Sequence, residues 1–215
     1  MKTSTKKMFT ECLERNPQLA PLESSIKEAV QILYKASHKN KILVCGNGGS
    51  AADSEHIAGE FLKSFVLKRP IPSSFRERLI KDFGDEGNFI ADNLQQGIKC
   101  IPLTSFTAYN TAFLNDCDGN LLYAQLVNAL GEEGDVLIAI STSGNAKNVC
   151  FAAKVAKTMG IKVIALTGDT GGALKDISDV LLNVPSKITF QIQELHLPLY
   201  HLLCLAVENE CFGSD

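Results

Sequence analysis

Short, uninterrupted apolar runs recur along the chain, and polar residues do not alternate within them. Such runs, rich in β-branched residues, are typical of strands that are covered on both faces of a parallel sheet. They lie at residues 41–46, 100–105, 135–141, 162–168 and 180–186. The segments between them carry apolar residues at spacings of three and four, which predicts helices. The alternation predicts an α/β fold with a doubly wound, five-stranded parallel sheet.

Three helical patterns fall outside this alternation. Two precede the first strand, at residues 4–15 and 21–38, and one ends the chain, at 189–212. Their apolar stripes must be buried, either on the sheet or on another subunit. Residues 66–97 follow the first crossover helix and predict two short helices around Gly84 and Gly87. We expect a single domain over residues 1–215, in which 1–38 form N-terminal helices and 66–97 form a helical insertion.

Composition narrows the class of protein. The 215 residues are 45% hydrophobic and carry a formal net charge of −3, so the chain can bury a full core and has no basic patch for nucleic acid or a membrane surface. Its seven cysteines lack CxxC spacing and predict reduced core thiols. The N-terminus lacks the apolar core of a signal peptide, and no apolar run approaches the ~20 residues that span a bilayer. We therefore expect a cytoplasmic protein.

A glycine-rich turn follows the first strand, with the sequence GNGGSA at residues 46–51. It formally satisfies the GxGxxA dinucleotide pattern, but that pattern also needs an acidic residue after the second strand. The second strand ends in LTSFTAYN, which contains no acid, so dinucleotide binding is not favoured. The glycines still let the backbone approach a ligand, and the next helix begins there with free N–H groups.

A second turn, rich in hydroxyls, follows the third strand and contains Ser141, Thr142 and Ser143. The carboxyl ends of parallel strands meet at one edge of the sheet, where ligands bind. Together with Ser50, these hydroxyls could hold a phosphate with almost no basic residues. A single serine at such a turn is more often a helix N-cap.

Histidines mark two helical stretches. His56 and Glu60 are four residues apart and therefore share one face of the helix that begins at the glycine turn. On the last helix, Gln193, Leu197 and His201 follow one ridge. A lone histidine on an apolar helix is usually a core residue, but the pairing with Glu60 beside a phosphate turn favours a site.

The chain resembles the SIS domain family, and within it the sedoheptulose 7-phosphate isomerases, also called phosphoheptose isomerases. The resemblance rests on CGNGGSAADSEHIAGEF, LND, EEGDVLIAISTSGNAKNV, KVIALTGDTGG and IQELHLPLYH, which cover most of residues 41–204. It implies an αβα sandwich, a homotetramer with active sites between subunits, and an enzyme that interconverts an aldose phosphate and a ketose phosphate. The substrate implied is sedoheptulose 7-phosphate, which becomes a manno-heptose 7-phosphate through an enediolate.

The resemblance also assigns roles to residues. It implies Glu60 and His201 as the catalytic pair, and a zinc ion held by His56, Glu60, Gln193 and His201. The residues it implies for substrate binding are Asn47, Gly48, Gly49, Ser50, Asp116, Ser141, Thr142, Ser143 and Gln193. If Glu60 binds zinc, its basicity is lowered, so the metal and proton-transfer roles compete. The chain departs from the family at Ala146, at Gln191 and in the length of 66–97, which leaves the identity of the sugar open.

Two points remain open at this stage. Eight residues of straight helix place Gln193 and His201 roughly 12 Å apart along the axis, too far for adjacent ligands unless long side chains converge or Pro198 bends the helix. The alternative function is a non-catalytic SIS-domain regulator that binds a phosphosugar or a partner protein such as a replication initiator. Retention of all four metal positions favours the enzyme, because buried polar residues are costly when nothing satisfies them.

Overall fold

The structure, a computed structural model, describes residues 1–214. Five parallel strands form one sheet in the order β2-β1-β3-β4-β5. The strands are β1 (Ile42–Cys45), β2 (Cys100–Pro102), β3 (Val136–Ile140), β4 (Lys162–Thr167) and β5 (Val180–Asn183). The helices are α1 (Thr3–Arg15), α2 (Glu23–Ala36), α3 (Gly49–Leu62), α4 (Ser73–Asn93), α5 (Thr107–Asp116), α6 (Leu122–Leu130), α7 (Lys147–Thr158) and α8 (Thr189–Phe212). The predicted fold class is confirmed.

The sheet is covered on both faces because its strands are apolar on both. Side chains alternate across β1, so Ile42 and Val44 pack on one face while Leu43 and Cys45 pack on the other. Helices α1, α2, α3 and α8 cover the first face, and α6 and α7 cover the second. The result is an αβα sandwich with two cores.

The terminal helices pack on the sheet of their own chain. Phe9 of α1 and Ile26 and Leu33 of α2 are fully buried in the same core as Leu199 and Leu203 of α8. Of the two alternatives for these stripes, burial on the sheet is therefore the one observed.

Helix α4 occupies most of the 66–97 insertion and forms an arm. It breaks at Gly84, whose φ of 56° is left-handed. The break produces two helical halves, as predicted, and these fold back on each other. Gly87 permits their close approach, because a Cβ there would lie 1.9 Å from the carbonyl oxygen of Leu79. Only Gly87 and Ala91 are buried within α4, and the base of the arm is closed by a bridge between Pro70 and Gln95.

The described chain contains seven free cysteines, of which Cys117 is exposed and Cys211 half-buried while the other five are buried. Among the described helices, none is both long and apolar enough to cross a membrane.

Candidate functional site

The two turns singled out in the sequence meet at one point of the sheet. Strands β1 and β3 are neighbours, but β1 leads into α3 on the first face and β3 into α7 on the second. Strands whose crossovers leave to opposite faces open a crevice at their carboxyl ends, which is where ligands bind in such sheets.

A cavity of about 360 Å³ lies in this crevice. The predicted residues that line it are Asn47, Gly48, Gly49, Ser50, Ser141, Thr142, Ser143 and Gln193. Ala146 and Thr189 also line it, and these two stand at the first turns of α7 and α8. The N-termini of three helices thus converge on one cavity, and each carries a positive dipole end and unpaired N–H groups. The sequence did not point to the N-terminus of α8, because Thr189 follows no glycine-rich turn.

The hydroxyls of this cavity are oriented by the backbone. The Oγ atom of Ser143 accepts a hydrogen bond from the backbone N–H of Asn145 at 3.2 Å, and that of Ser141 accepts one from Ala146 at 3.4 Å. Both serines therefore accept hydrogen bonds from the backbone of the turn, and their O–H donors remain available for a ligand. The described residues that line the cavity include neither Lys nor Arg. A bound anion would be held by N–H and O–H dipoles.

A second group of polar side chains lies further along helices α3 and α8. The Nε2 atom of His56 lies 3.2 Å from Oε1 of Glu60, and the ring centroids of His56 and His201 are 5.0 Å apart. The Oε2 atom of Glu60 and the Nε2 atom of His201 are buried and make no hydrogen bond within the described part of the chain. The Nζ atom of Lys63 lies 3.9 Å from Oε2 of Glu60. Both atoms therefore keep the capacity to hydrogen-bond a ligand.

The environment of His201 favours its neutral form. Burial, together with nearby His56, lowers the pKa of His201 below its ordinary value of 6.5, while Glu60 acts in the opposite direction. A neutral imidazole at pH 7 can accept a proton, which suits a general base.

Tyr200 completes this cluster, although no pattern in the sequence marked it. Its hydroxyl lies 2.9 Å from Nδ1 of His56 and 3.2 Å from Oδ1 of Asp53. Burial and the Asp53 carboxylate raise the pKa of Tyr200 well above its ordinary value of 10. Asp53 precedes His56 by three residues on α3, a spacing that could have marked it as a neighbour. Tyr200 is an ordinary core residue by pattern.

The two groups are aligned by the parallel packing of α3 and α8. Gln193 lies against Gly49 at one end, where a Cβ on the glycine would be 2.5 Å from Nε2 of Gln193. Tyr200 contacts His56 at the other end. An extended phosphosugar with its phosphate in the cavity would therefore reach toward Glu60 and His201.

The predicted zinc ligands are brought together only in part. Helix α8 is continuous through Pro198, so Gln193 stays about 12 Å from His201 along the axis and lies at the cavity. His56, Glu60 and His201 offer the nitrogen and oxygen atoms that zinc accepts, two of them unpaired. Within residues 1–214, however, no three His, Cys, Asp or Glu side chains are already arranged around a metal position. Three of the four residues therefore lie in one cluster and carry donor atoms of the kinds that zinc accepts, while Gln193 lies apart.

Asp116 stands apart from both groups. It is the last residue of α5, is exposed, and accepts a hydrogen bond from the side chain of Asn115 at 2.8 Å. The described lining of the cavity does not include it. Within this chain Asp116 is therefore not brought to the cavity, and its contact with substrate stays a prediction.

Comparisons with known proteins agree with this architecture. The sequence model of the SIS domain matches residues 9–76 and 96–168, and so passes over most of the α4 arm. The phosphoheptose isomerase of Burkholderia pseudomallei is 40% identical over 189 residues, which cover 88% of this chain and 83% of that protein. Two solved phosphoheptose isomerases are similar in structure. That of Neisseria gonorrhoeae has 33% identity and a TM-score of 0.72, over 94% of this chain and 95% of its own. That of Francisella tularensis has 29% identity and a TM-score of 0.74, over 97% and 100%.

Proposed function

The chain belongs to the SIS domain family, and from that premise we propose that it is a phosphosugar isomerase of the phosphoheptose isomerase type. The substrate proposed is sedoheptulose 7-phosphate, converted to a manno-heptose 7-phosphate. The observation that carries the proposal is the arrangement along α3 and α8, in which a cavity suited to an anion lies at one end and the free atoms of Glu60 and His201 at the other. A non-catalytic regulator would need only the first of these.

The proposed mechanism divides proton transfer between two residues. Aldose–ketose isomerisation moves a proton between C1 and C2 and also between the two oxygens, through an enediolate. Glu60 removes and returns the carbon-bound proton with its unpaired Oε2. His201, neutral because burial lowers its pKa, exchanges the oxygen-bound protons through Nε2. The cavity hydroxyls and helix N-termini hold the phosphate and so fix the distance to C1.

Zinc is part of the proposal: His56, Glu60 and His201 would hold it, and Nε2 of His201 can serve either zinc or a proton but not both at once. When bound, it would polarise the carbonyl and stabilise negative charge on oxygen. We assign Gln193 to the substrate, because it lies in the anion cavity. We also propose that the enzyme is a cytoplasmic homotetramer, in keeping with its free, mostly buried cysteines and with the groove that leaves His201 accessible from outside the chain.

The Glu60→Gln variant tests the function. It removes the carboxylate base and nearly preserves shape, so solvent deuterium should no longer enter C1 of the ketose phosphate, while the affinity for that substrate stays within a few fold. Glu55→Gln is the matched control, because Glu55 lies on the same helix but accepts hydrogen bonds from Thr104 and Ser105 outside the cluster. A folded, zinc-loaded Glu60→Gln protein that exchanges deuterium at the wild-type rate would require another base and refute the assignment.

A further inference from the structure

The α4 arm and its base expose more apolar side chains than the rest of the chain. Of the fourteen large hydrophobic residues that are exposed in the described chain, eight lie between residues 62 and 94. Phe83 and Phe89, on either side of the break at Gly84, are the most exposed of these, at 61% and 70%. The others are Leu62, Val66, Phe75, Ile80, Ile90 and Leu94. Apolar residues gathered in this way on a surface mark an interaction site.

The body of the same chain does not supply the missing cover. Within α4 only Gly87 and Ala91 are buried, and both serve the contact between the two helical halves. Each half is about ten residues long, and helices of that length are marginal in water unless an apolar face is packed against another surface. A covering surface would therefore stabilise the helical form of the arm.

The two ends of the arm carry opposite net charge. The tip, residues 81–86, contains three acidic side chains and one lysine. The base, residues 62–78 and 92–97, contains four basic side chains at least partly exposed and two acidic ones, since Arg69 is buried against Glu208. The acidic residues of the tip are Asp82, Asp85 and Glu86, and the basic residues of the base are Lys63, Lys68, Arg76 and Arg78. The ion pair of Arg76 and Asp92 lies within the base and leaves this difference unchanged.

We propose that the α4 arm is a docking surface for the α4 arm of a second copy of this chain, with the two arms antiparallel. A two-fold axis between them places the acidic tip of each arm on the basic base of the other, so both contacts attract. The same arrangement brings Phe83 and Phe89 of each tip to Leu62 and Val66 of the other copy. Burial of the eight apolar side chains in both copies would remove on the order of 1,000 Å² from water, which is the size of the smaller specific interfaces.

This contact is separate from the body that the chain shares with its family. The SIS domain model leaves out residues 77–95, so the tip and the second half of the arm belong to the insertion. The groove beside His201 is lined mainly by α1 and α8. The arm therefore adds an interface of its own, and the proposal does not depend on the isomerase assignment.

Charge reversal at the two ends tests the pairing in the full-length protein. Asp85→Lys with Glu86→Lys makes the tip basic, and Lys68→Glu with Arg78→Glu makes the base acidic; all four residues are exposed. Each double variant makes both contacts repulsive, so each should show about half the wild-type mass in light scattering, because a closed assembly that loses one two-fold contact divides in two. An equimolar mixture of the two variants makes both contacts attractive again and should return to the wild-type mass.

The control is Lys154→Glu with Lys175→Glu, which reverses two exposed charges outside the arm and should leave the mass unchanged. A wild-type mass in both double variants would overturn the proposal. A mixture that stays at half mass would also overturn it, because the arm would then pack on something other than a second arm. Replacement of residues 73–93 by a short turn should likewise halve the mass, and a trimmed protein of wild-type mass excludes the contact even if a double variant fails to fold. None of these measurements needs turnover, so their outcome is distinguishable from a failure of the isomerase assignment.

Discussion

His196 is the most deeply buried histidine of the described chain and lies outside the cluster. It is 0% exposed, and its Nε2 contacts the carbonyl of Thr167 at 3.2 Å. Burial lowers its pKa to about 4, from an ordinary value of 6.5. The native state therefore keeps this ring neutral under conditions in which the unfolded chain protonates it. The consequence is a dependence of stability on pH.

The sign of this dependence follows from proton binding. Above pH 6.5 neither state binds a proton at His196, and the full stability is present; as the pH falls from 6.5 toward 4, only the unfolded state gains the proton, and stability is lost. Between pH 7 and 5 we expect His196 to account for a loss of about 2 kcal/mol in the free energy of unfolding, measured in urea. His196→Gln should flatten the curve, whereas exposed His38→Gln should leave it unchanged. Parallel curves for wild type and His196→Gln would contradict the expectation.

Individual residues also show which parts of the candidate site could be predicted from the sequence alone. The anion cavity could be predicted, because glycines and hydroxyls at strand ends are local signals and the edge of a parallel sheet brings them together. Gln193 and Tyr200 could not be placed in the same way. Their neighbours depend on how α3 and α8 lie against each other, which is a matter of tertiary packing and not of periodicity.

At the scale of elements, a buried ion pair connects the end of α3 to α8. The Nη2 atom of Arg69 lies 2.6 Å from Oε1 of Glu208, and both side chains are fully buried. The Glu208 carboxylate also accepts the backbone N–H groups of residues 65–67, while Arg69 donates to the carbonyls of Glu60 and Phe61. This pair therefore fixes the chain immediately after the helix that carries Glu60.

Glu208→Ala should be strongly destabilising, because it leaves the guanidinium of Arg69 buried without its partner. Breaking such a pair costs about 3–5 kcal/mol, whereas an exposed pair contributes about 0–1 kcal/mol. Asp92→Ala, which breaks the exposed pair of Arg76 and Asp92 on the α4 arm, is the matched control. The measurement is the free energy of unfolding in urea for the three proteins. Equal losses for the two variants would show that the buried pair has no special role.

The α4 arm contributes little to the core, since Gly87 and Ala91 are its only buried residues. Its base is closed by the bridge from Pro70 to Gln95 and by the hydrogen bond from Gln96 N–H to the Arg69 carbonyl, both outside the helical halves. We expect replacement of residues 73–93 by a short turn to leave the protein folded. We also expect it to change the ratio of kcat/KM between C6 and C7 ketose phosphates, since the arm starts just after the helix of Glu60. If the trimmed protein folds and keeps both its turnover and its preference between C6 and C7 ketose phosphates, the arm is only a surface cap.

The five strands and the terminal helices were predictable as elements, because continuous apolar runs and long 3.6-residue periodicity are strong signals. The positions of the terminal helices in the fold were not predictable. An apolar stripe indicates that one face of a helix is buried, but it does not identify the element that buries it. Here Phe9, Ile26 and Leu33 are covered by α8 and the sheet. For the same reason, deletion of residues 1–38 would remove part of the core and would not report on assembly.

At the scale of the whole molecule, the face that carries His201 is open in the single chain. A groove of about 510 Å³ between α1 and α8 is lined by Met8, Arg15, Phe65 and Leu197 as well as by His201. Leu197 is 42% exposed there, on the same helix as His201. A second copy that covered this groove would exclude water from the proton-transfer end of the site, as enediolate chemistry favours.

The proposed homotetramer is therefore best tested at Leu197. Leu197→Lys places a charge in the groove without touching the core, so it should convert the tetramer to smaller species in light scattering and lower turnover in parallel. Leu114→Lys is the control, since Leu114 is 57% exposed on α5, which packs on the opposite face of the sheet. We expect that variant to keep both the wild-type mass and the wild-type rate. A wild-type protein that is an active monomer at the concentrations used for turnover would exclude a shared active site, and the groove would then be an open entrance to His201.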